Sequence, residues 1–342
     1  MRSIRAVAFV VVAFIALAAM AGRASAATIR PVPFQRGVTI ADWGSAAYAG
    51  NGFGKLVKSL KGRGVDTVTL LVVWEQNGKR SVKISPGQET VPTANLVRAI
   101  NTVHAAHLRV ILKPYIDLRA GGWRGEITPS SVPRWFASYD AFIVRFAKLA
   151  QKENVRGFVV GTEMVSMQRY ASDWRTLIRR VRRVFRNGFV TYQANHSETN
   201  LTWWDALDVI DISAYYPLNT TGSYRVRDLI AGWSQWRSAL SGLHSKYHRD
   251  IMFGELGYTP YTKAFAQPWV IQPLGSYSPI AQANGYTAAF DVWYPVAFFK
   301  GFGWWYVSSN PGLRRTDSGN DEPRAPALKV LSHWYRNKKP AG

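Results

Sequence analysis

Thr-Val-Thr-Leu-Leu-Val-Val-Trp, residues 67–74, is a nearly continuous run of β-branched and apolar residues. Such a run predicts a strand that is covered on both faces, which is typical of parallel sheets. A helical pattern follows over 94–107, with an apolar face formed by Leu96, Val97, Ile100 and Val103. A second apolar run then covers 109–117. This strand–helix–strand order predicts one βαβ unit of a parallel sheet.

The same unit recurs along the chain. Eight strand-like runs cover 37–43, 67–74, 109–117, 157–164, 189–196, 208–218, 251–258 and 302–309. Helical patterns cover 94–107, 133–153, 172–186, 226–247, 280–300 and 326–336. We therefore predict an α/β fold, a single-domain (β/α)8 TIM barrel built from eight strand–helix units. A doubly wound open sheet is the alternative, but no Gly-x-Gly-x-x-Gly turn follows the first strand.

The composition narrows the classes of function. With 47% hydrophobic residues, the 342-residue chain is not wholly disordered. It has no Cys, which excludes disulfides, thiolate chemistry and iron–sulfur ligation. We expect no metal and no cofactor, because His104 and His107 lie three apart on a helix without further ligands. The 14 Trp residues suggest stacking platforms for flat apolar ligands.

The N-terminus has the pattern of a secretory signal. Arg2 and Arg5 precede an apolar run over 6–21, and Arg-Ala-Ser-Ala follows at 23–26. We predict a signal peptide over 1–26 with cleavage near Ala26, and a catalytic domain over 27–342. An uncleaved anchor is the alternative, although the run is short for a membrane span. The protein is therefore expected to be secreted or associated with the cell envelope.

The chain is strongly basic, with 43 Lys and Arg against 21 Asp and Glu and a net charge of +22. Such a charge favours an anionic partner. The predicted helix over 172–186 is especially basic, and this face either meets solvent or retains the protein on an anionic cell envelope. We expect no nucleic-acid partner, because aromatic residues do not alternate with these arginines. We also expect a monomer. The basic residues of this helix are Arg175, Arg179, Arg180, Arg182, Arg183 and Arg186.

Polar and aromatic side chains collect where the predicted strands end. In a barrel of this type the carboxyl ends of the strands carry the chemistry. The sequence therefore predicts that carboxylates, amides and aromatic rings converge on one rim. The residues at these ends include Asp42, Trp43, Trp74, Glu75, Lys113, Tyr115, Asp117, Glu163, Asn195, His196, Tyr215, Tyr216, Glu255, Trp304 and Trp305.

Glu163 and Glu255 are the most informative of these residues. Each follows an apolar strand and a small residue, in Val-Val-Gly-Thr-Glu and Met-Phe-Gly-Glu. They end the fourth and seventh strands, which lie across the barrel mouth from one another. Two facing carboxylates about 5–5.5 Å apart are the catalytic pair of a retaining glycosidase. The alternative is that each Glu pairs with Lys113 or Arg124 and only holds the rim together; the presence of two such Glu favours catalysis.

Six motifs resemble glycoside hydrolase family 113, in clan A of the retaining barrel glycosidases, whose characterised members are mainly β-1,4-mannanases. The resemblance covers roughly residues 36–335. It implies Glu163 as the acid/base and Glu255 as the nucleophile that forms a covalent glycosyl-enzyme. The motifs are Leu-Lys-Pro-Tyr-Ile-Asp (112–117), Gly-Trp-Arg-Gly (122–125), Val-Gly-Thr-Glu (160–163), Ala-Asn-His (194–196), Asp-Ile-Ser-Ala-Tyr-Tyr-Pro-Leu (211–218) and Gly-Glu-Leu-Gly-Tyr (254–258).

The chain departs from these relatives at two positions. Thr162 stands where most clan A enzymes have the Asn that binds the sugar 2-hydroxyl, as it does in family 113, and Asn195 is a candidate for that duty. His196 stands where the family is expected to have Trp in an Asn-Trp pair. Neither change touches the carboxylates, so the departures bear on the choice of substrate more than on the reaction.

The remaining candidates are sugar contacts. Trp43, Trp74, Trp123 and Trp305 are stacking platforms or core residues. Lys113, Asp117 and Arg124 bind hydroxyls or form an ion-pair network. Asn195, His196 and Tyr216 are further contacts, and either Tyr215 or Tyr258 holds Glu255.

The sequence thus predicts a secreted retaining hydrolase acting on a β-linked polysaccharide or oligosaccharide, with β-1,4-mannan as the first candidate. The alternatives are a hydrolase or transglycosylase of another β-glucan or cell-wall glycan, and an inactive glycan-binding barrel. The intact Glu pair argues against the last of these.

Overall fold

Eight parallel strands close into a barrel in the computed structural model, which describes residues 29–219, 221–309 and 321–341. The first strand pairs with both the second and the last barrel strand, so the sheet has no open edge. The barrel strands are β1 (Gln35–Ile40), β2 (Thr67–Gln76), β4 (Arg109–Leu118), β5 (Gly157–Thr162), β6 (Phe189–Asn195), β7 (Ile210–Ser213), β8 (Ile251–Leu256) and β9 (Phe299–Val307). A two-residue strand, β3 (Ile84–Ser85), pairs antiparallel with β2. The predicted TIM barrel is confirmed.

Seven α-helices lie in the described part of the chain, one fewer than eight complete units require. The missing helix belongs between β6 and β7, where only a short 3-10 turn occurs at Trp204–Ala206. Trp203 is buried there and stacks on Trp174 at a centroid distance of 5.1 Å. The indole thus covers the barrel where the helix would lie. The helices are α1 (Asn51–Gly62), α2 (Thr93–Ala105), α3 (Val132–Lys152), α4 (Ala171–Val184), α5 (Val226–Tyr247), α6 (Pro279–Trp293) and α7 (Ala325–Asn337).

Alternation along the strands divides the apolar core between the outside and the inside of the barrel. Outward side chains such as Val68, Leu70 and Val72 pack against the helices in one large cluster. Inside, a lower layer contains Ile111, Val159, Phe189, Val209 and Met252. An upper, aromatic-rich layer contains Ala41, Trp43, Leu71, Val73, Tyr215, Trp305 and Tyr306. The upper layer lies towards the carboxyl ends of the strands and supports the cleft described below.

The described residues from Pro31 onward form one compact unit. The predicted signal peptide, residues 1–26, lies outside the described residues, so its cleavage stays a prediction. Among the helices of the described part, none has the length and apolar character needed to cross a membrane.

Candidate active site

A cleft of about 840 Å³ opens at the carboxyl ends of the barrel strands and contains both predicted catalytic carboxylates. Its position agrees with the usual location of active sites in this fold. It is lined by Trp43, Tyr115, Asp117, Gly122, Trp123, Arg124, Glu163, Asn195, His196, Ser197, Tyr215, Glu255, Trp269, Ile271, Trp305 and Asp321.

Glu163 is the first residue after β5, and hydrogen-bond donors surround its carboxylate. Its φ of 50° is in the left-handed region, which turns the chain away as the strand ends. Asn195 Nδ2 donates to Oε1 at 3.0 Å. Trp123 Nε1 and Arg124 Nη1 each donate to Oε2 at 3.4 Å. These three donors come from the end of β6 and from the connection between β4 and α3, and they hold the carboxylate against one wall of the cleft.

Glu255 lies within β8, and its carboxylate has a buried cation beside it. The ammonium group of Lys113 contacts Oε1, and the Tyr215 hydroxyl lies 3.5 Å from Oε2. Lys113 is fully buried, and its Nζ is 5.1 Å from the centroid of the Trp305 ring. Glu255 therefore has an ion-pair partner at one carboxylate oxygen and a hydroxyl donor near the other.

The backbone that carries Glu255 is held from below by a buried carboxyl group. Gly254 N donates to Asp211 Oδ1 at 2.7 Å. A Cβ atom on residue 254 would lie 2.7 Å from both Asp211 Oδ2 and the Gln193 side-chain oxygen, so only glycine fits. Burial raises the pKa of Asp211 to about 7, against the opposing influence of the Lys113 charge.

Arg124 links the acidic residues on one side of the cleft. Its Nη2 donates to Asp117 at 3.2 Å while Nη1 faces Glu163. The guanidinium lies 3.6 Å from the centroid of the Tyr115 ring, and its Nε donates to the Ile116 carbonyl. Arg124 and Asp117 therefore form the ion-pair network that the sequence left as one of two alternatives, and both also line the cleft.

Aromatic rings form much of the cleft wall. Trp43, Trp123 and Trp305 line it as predicted, and Trp123 is 39% exposed. His196 also lines the cleft and stacks on Trp269, with ring centroids 5.2 Å apart. Burial lowers the pKa of His196 to about 4, so the imidazole is neutral near neutral pH. The Trp269–His196 pair gives the cleft a broad uncharged face.

Four predicted sugar contacts lie outside the lining. Trp74 points outward and stacks on Phe142 of α3 at 5.0 Å, because its neighbour Val73 occupies the inward position of the strand. Tyr216 is buried and stacks on Trp236 at 4.6 Å. These two positions correct the prediction that the side chains line the cleft.

Tyr258 is also buried, and the centroid of its ring lies 5.0 Å from that of Phe265. Of the two tyrosines predicted to hold Glu255, Tyr215 is therefore the one that lies beside it. Lys113 contacts Glu255 instead of lining open space.

Six residues of the lining were not singled out as contacts from the sequence: Tyr115, Gly122, Ser197, Trp269, Ile271 and Asp321. Tyr115 could have been found, because it alternates with Lys113 and Asp117 along β4. Trp269 and Ile271 lie in the long connection between β8 and α6, which has no periodic pattern. Asp321 lies well after the end of β9 in the chain, and no sequence pattern around it predicts that it reaches the cleft.

The titratable side chains of the cleft do not form a metal centre. Within 29–219, 221–309 and 321–341, no three His, Asp or Glu side chains are arranged to hold a metal ion. Three of the cleft carboxylates, Glu255, Glu163 and Asp117, have partners among Lys113, Arg124, Trp123 and Asn195 instead.

Comparison with known proteins assigns the chain to a protein family. The profile of Glycoside Hydrolase Family 113 matches residues 34–322. A solved GH113 β-1,4-mannanase is similar to this chain, with a TM-score of 0.79 and 27% sequence identity. The alignment covers 90% of this chain and 100% of the mannanase chain. The GH113 β-mannanase AaManA from Alicyclobacillus acidocaldarius, in complex with ManMIm, has a TM-score of 0.78 and 26% identity over 89% of this chain and 97% of its own.

A β-glucuronidase from Ruminococcus gnavus shares only the fold, with a TM-score of 0.59 and 12% identity over 90% of this chain and 49% of its own. No curated protein matches this chain in a sequence comparison. Because the family profile extends over most of the barrel and both cleft carboxylates, the chain belongs to glycoside hydrolase family 113.

Proposed function

We propose that the protein is an endo-β-1,4-mannanase that works by double displacement, with Glu255 as nucleophile and Glu163 as acid/base. The observation that carries this proposal is the different surroundings of the two carboxylates within one cleft. Glu255 contacts the fully buried ammonium of Lys113, whereas Glu163 has three longer contacts, from the Asn195 amide, the Trp123 indole and the Arg124 guanidinium. Two carboxyl groups with different partners suit two different roles. The solved GH113 β-1,4-mannanases support the choice of substrate.

In the first step, Glu255 attacks the anomeric carbon and forms an ester with the sugar. The bond from that carbon to the leaving oxygen breaks, and Glu163 gives its proton to this oxygen. Lys113 contacts Oε1 of the attacking carboxylate, and the Tyr215 hydroxyl near Oε2 fixes its orientation.

In the second step, Glu163 accepts a proton from water as the water oxygen attacks the anomeric carbon. The ester bond breaks, and the electron pair returns to Glu255 beside Lys113. Asn195 and Arg124 hold the Glu163 carboxylate in place for this proton transfer. A sugar hydroxyl in place of water would give transglycosylation by the same chemistry.

The aromatic cleft wall suits a neutral polysaccharide chain, because sugar rings present apolar faces that stack on aromatic side chains. The second candidate substrate is another β-glucan or cell-wall glycan. The observation that favours it is the Trp269–His196 pair, which builds the wall from a histidine where the family is expected to have Trp. A screen of mannan, glucomannan, β-glucan, xylan and cell-wall glycans decides between the two substrates.

The catalytic assignment is tested with Glu255→Ala and Glu163→Ala on aryl β-mannosides with good and poor leaving groups. Glu255→Ala should lose at least about 10⁴-fold in kcat on both substrates, since it lacks the nucleophile. Glu163→Ala should lose most of its activity with the poor leaving group and be partly spared with the good one. Glu153→Ala, at the end of α3, is the matched control and should stay active. An equal loss of Glu163→Ala on both substrates would contradict its role as acid.

We also propose that the mature protein is exported and retained by its positive charge. Three of the six arginines over 172–186 are paired: Arg175 with Asp205, Arg180 with Asp140 and Arg182 with Asp208. The net charge of +22 falls to +19 without Arg2, Arg5 and Arg23 of the predicted signal peptide, which still leaves a large excess of cations. Release from isolated cell envelopes that rises steeply with salt would support this proposal. Release that is independent of salt would contradict it.

A further inference from the structure

Asp321 lines the cleft but has no assigned role. It follows β9 in the chain, is only 3% exposed, and belongs to the same cleft wall as Glu255 and Trp305. Among the described residues, none donates a hydrogen bond to its Oδ1 atom. An unpaired buried carboxyl oxygen is costly unless something else provides the missing partner.

The backbone around Asp321 is anchored, so this side chain is held at the cleft. Gln282 of α6 is fully buried, and its Nε2 donates to the carbonyl oxygens of Tyr258, Asp321 and Glu322 at 2.7, 3.4 and 3.2 Å. Its side-chain oxygen accepts from Arg324 N at 2.8 Å. One glutamine therefore ties the segment after β8 to the segment that carries Asp321. A Cβ on Gly257 would lie 3.7 Å from Asp321 Cβ, so the two segments also meet at the cleft wall.

No structural partner in the described part of the chain accounts for the Oδ1 atom of Asp321. It forms no ion pair there, and the nearby Arg324 directs Nη1 to the Glu322 carbonyl at 3.2 Å. Burial, together with the charge of Glu255, raises the pKa of Asp321 to about 7. Near neutral pH this carboxyl group is present in both protonation states, so it can donate or accept a hydrogen bond. A sugar hydroxyl can likewise donate or accept a hydrogen bond, so it matches either form of the carboxyl group.

We propose that Asp321 binds a hydroxyl group of the sugar unit whose anomeric carbon faces Glu255, and thereby selects the sugar. This inference rests on the proposed function, because it concerns the same cleft. Asp321 lies on the wall that contains the proposed nucleophile, so its ligand belongs to the sugar unit that becomes attached to Glu255. The missing partner of Oδ1 is then supplied by substrate.

The test uses an aryl β-1,4-mannobioside and three analogues that lack the 2-, 3- or 6-hydroxyl of the sugar next to the aryl group. With the wild-type protein, loss of the hydroxyl that contacts Asp321 should lower kcat/KM by about 10- to 100-fold. Asp321→Ala should show the same loss on the parent substrate and no further loss on that one analogue. Asp321→Asn, which keeps the packing volume, should show a smaller loss confined to the same hydroxyl.

Asp291→Ala, on the exposed surface of α6, is the matched control and should discriminate among the four substrates as the wild type does. A merely structural role for Asp321 predicts an equal loss on every substrate, and that result would overturn the inference. Unchanged kcat/KM in both Asp321 variants would overturn it as well. If the wild-type protein leaves both β-mannan and the mannobioside intact, the proposed substrate is wrong and this inference falls with it. If the wild type cleaves them but the Asp321 variants behave as in the two preceding outcomes, only this inference is wrong.

Discussion

Lys113 is the buried charged partner of Glu255, the proposed nucleophile. It is fully buried, and its ammonium contacts the Glu255 carboxylate in the upper layer of the barrel. Removal of one partner of such a pair leaves an uncompensated buried charge. Lys113→Met should therefore lower the free energy of unfolding by about 3–5 kcal/mol and kcat by at least about 100-fold. Denaturant unfolding and steady-state kinetics measure the two effects.

The control for this substitution is Lys79→Met. Lys79 pairs with Glu126 on the surface, where the side chains are 45% and 54% exposed. Exposed pairs contribute about 0–1 kcal/mol, so this variant should keep nearly all stability and activity. Equal behaviour of the two variants would show that Lys113 is no more than a packing residue.

Trp269 provides an exposed aromatic face beside the cleft that can be removed without opening the core. It is 47% exposed and stacks on His196. Trp269→Ala should leave stability within about 0.5 kcal/mol and raise KM for long oligosaccharides by about 3- to 10-fold, since one ring contact is lost. Tyr277→Ala, at an exposed aromatic residue outside the cleft lining, is the control. An unchanged KM on every chain length would exclude Trp269 as a sugar platform.

At the residue scale, the sequence predicts which side chains lie at the ends of strands. It does not predict reliably which side chains of a strand point into the barrel and which point outward. Glu163 and Glu255 were placed on the correct rim because each follows a small residue at a strand end. Trp74 was misplaced, since a displacement of one residue along a strand reverses the face on which a side chain lies. The sequence offered Lys113 as a partner of one of the two glutamates, but its complete burial depends on strands that are distant in the chain.

At the scale of elements, the eight barrel strands were predictable, and the surrounding helices were predictable in part. Helix α1 was missed because Gly52, Gly54 and Gly62 weaken its helical pattern. Packing explains one of them, since a Cβ on Gly52 would lie 2.7 Å from the Ser309 carbonyl oxygen. The sequence also gave no sign that Trp203 replaces a helix between β6 and β7, because that depends on its stacking against α4.

Strand β8 carries Glu255 on a backbone that leaves no room for a side chain at the preceding residue. A Cβ at Gly254 would lie 2.7 Å from Asp211 Oδ2, inside the barrel. Gly254→Ala should therefore lower the free energy of unfolding by about 1–3 kcal/mol and reduce kcat by displacing Glu255. Thermal unfolding and kinetics measure both.

The matched control, Gly242→Ala, lies on the exposed face of α5 with nothing within 4 Å of the new Cβ. It should stabilise the protein by about 0.5–1 kcal/mol. If both variants were equally stable and active, β8 would not be held as tightly as the contacts of Asp211 indicate.

At the scale of the whole molecule, the charge is divided between a basic exterior and an acidic cleft. The chain has a net charge of +22, yet the cleft lining contains four carboxyl groups and one arginine. The exterior cations therefore do not serve the bond-breaking step, and a neutral substrate does not need them there. Substrate turnover and attachment to an anionic surface should respond separately to salt, with turnover of soluble oligosaccharides nearly constant where attachment is lost.

The buried Asp211 makes the stability of the whole barrel depend on pH. Burial raises its folded-state pKa from 3.8 to about 7, while Lys113 opposes and Glu255 adds to that effect. Between these two values the folded protein binds more protons than the unfolded chain, so this group makes the fold less stable as pH rises. The decrease in the free energy of unfolding begins near pH 4 and is complete above about pH 7. A pKa shift of this size corresponds to a few kcal/mol.

Asp211→Asn removes this titration while its side-chain oxygen can still accept the hydrogen bond from Gly254 N. The stability of wild type relative to Asp211→Asn should therefore fall steadily from pH 5 to about pH 7 and level off by pH 8. The comparison cancels other groups that titrate in this range, including His196, whose lowered pKa acts in the opposite sense. Unfolding free energies of both proteins in one buffer series measure the difference. A difference that stays constant across the series would mean that Asp211 is ionised throughout beside Lys113, as a structural counter-ion.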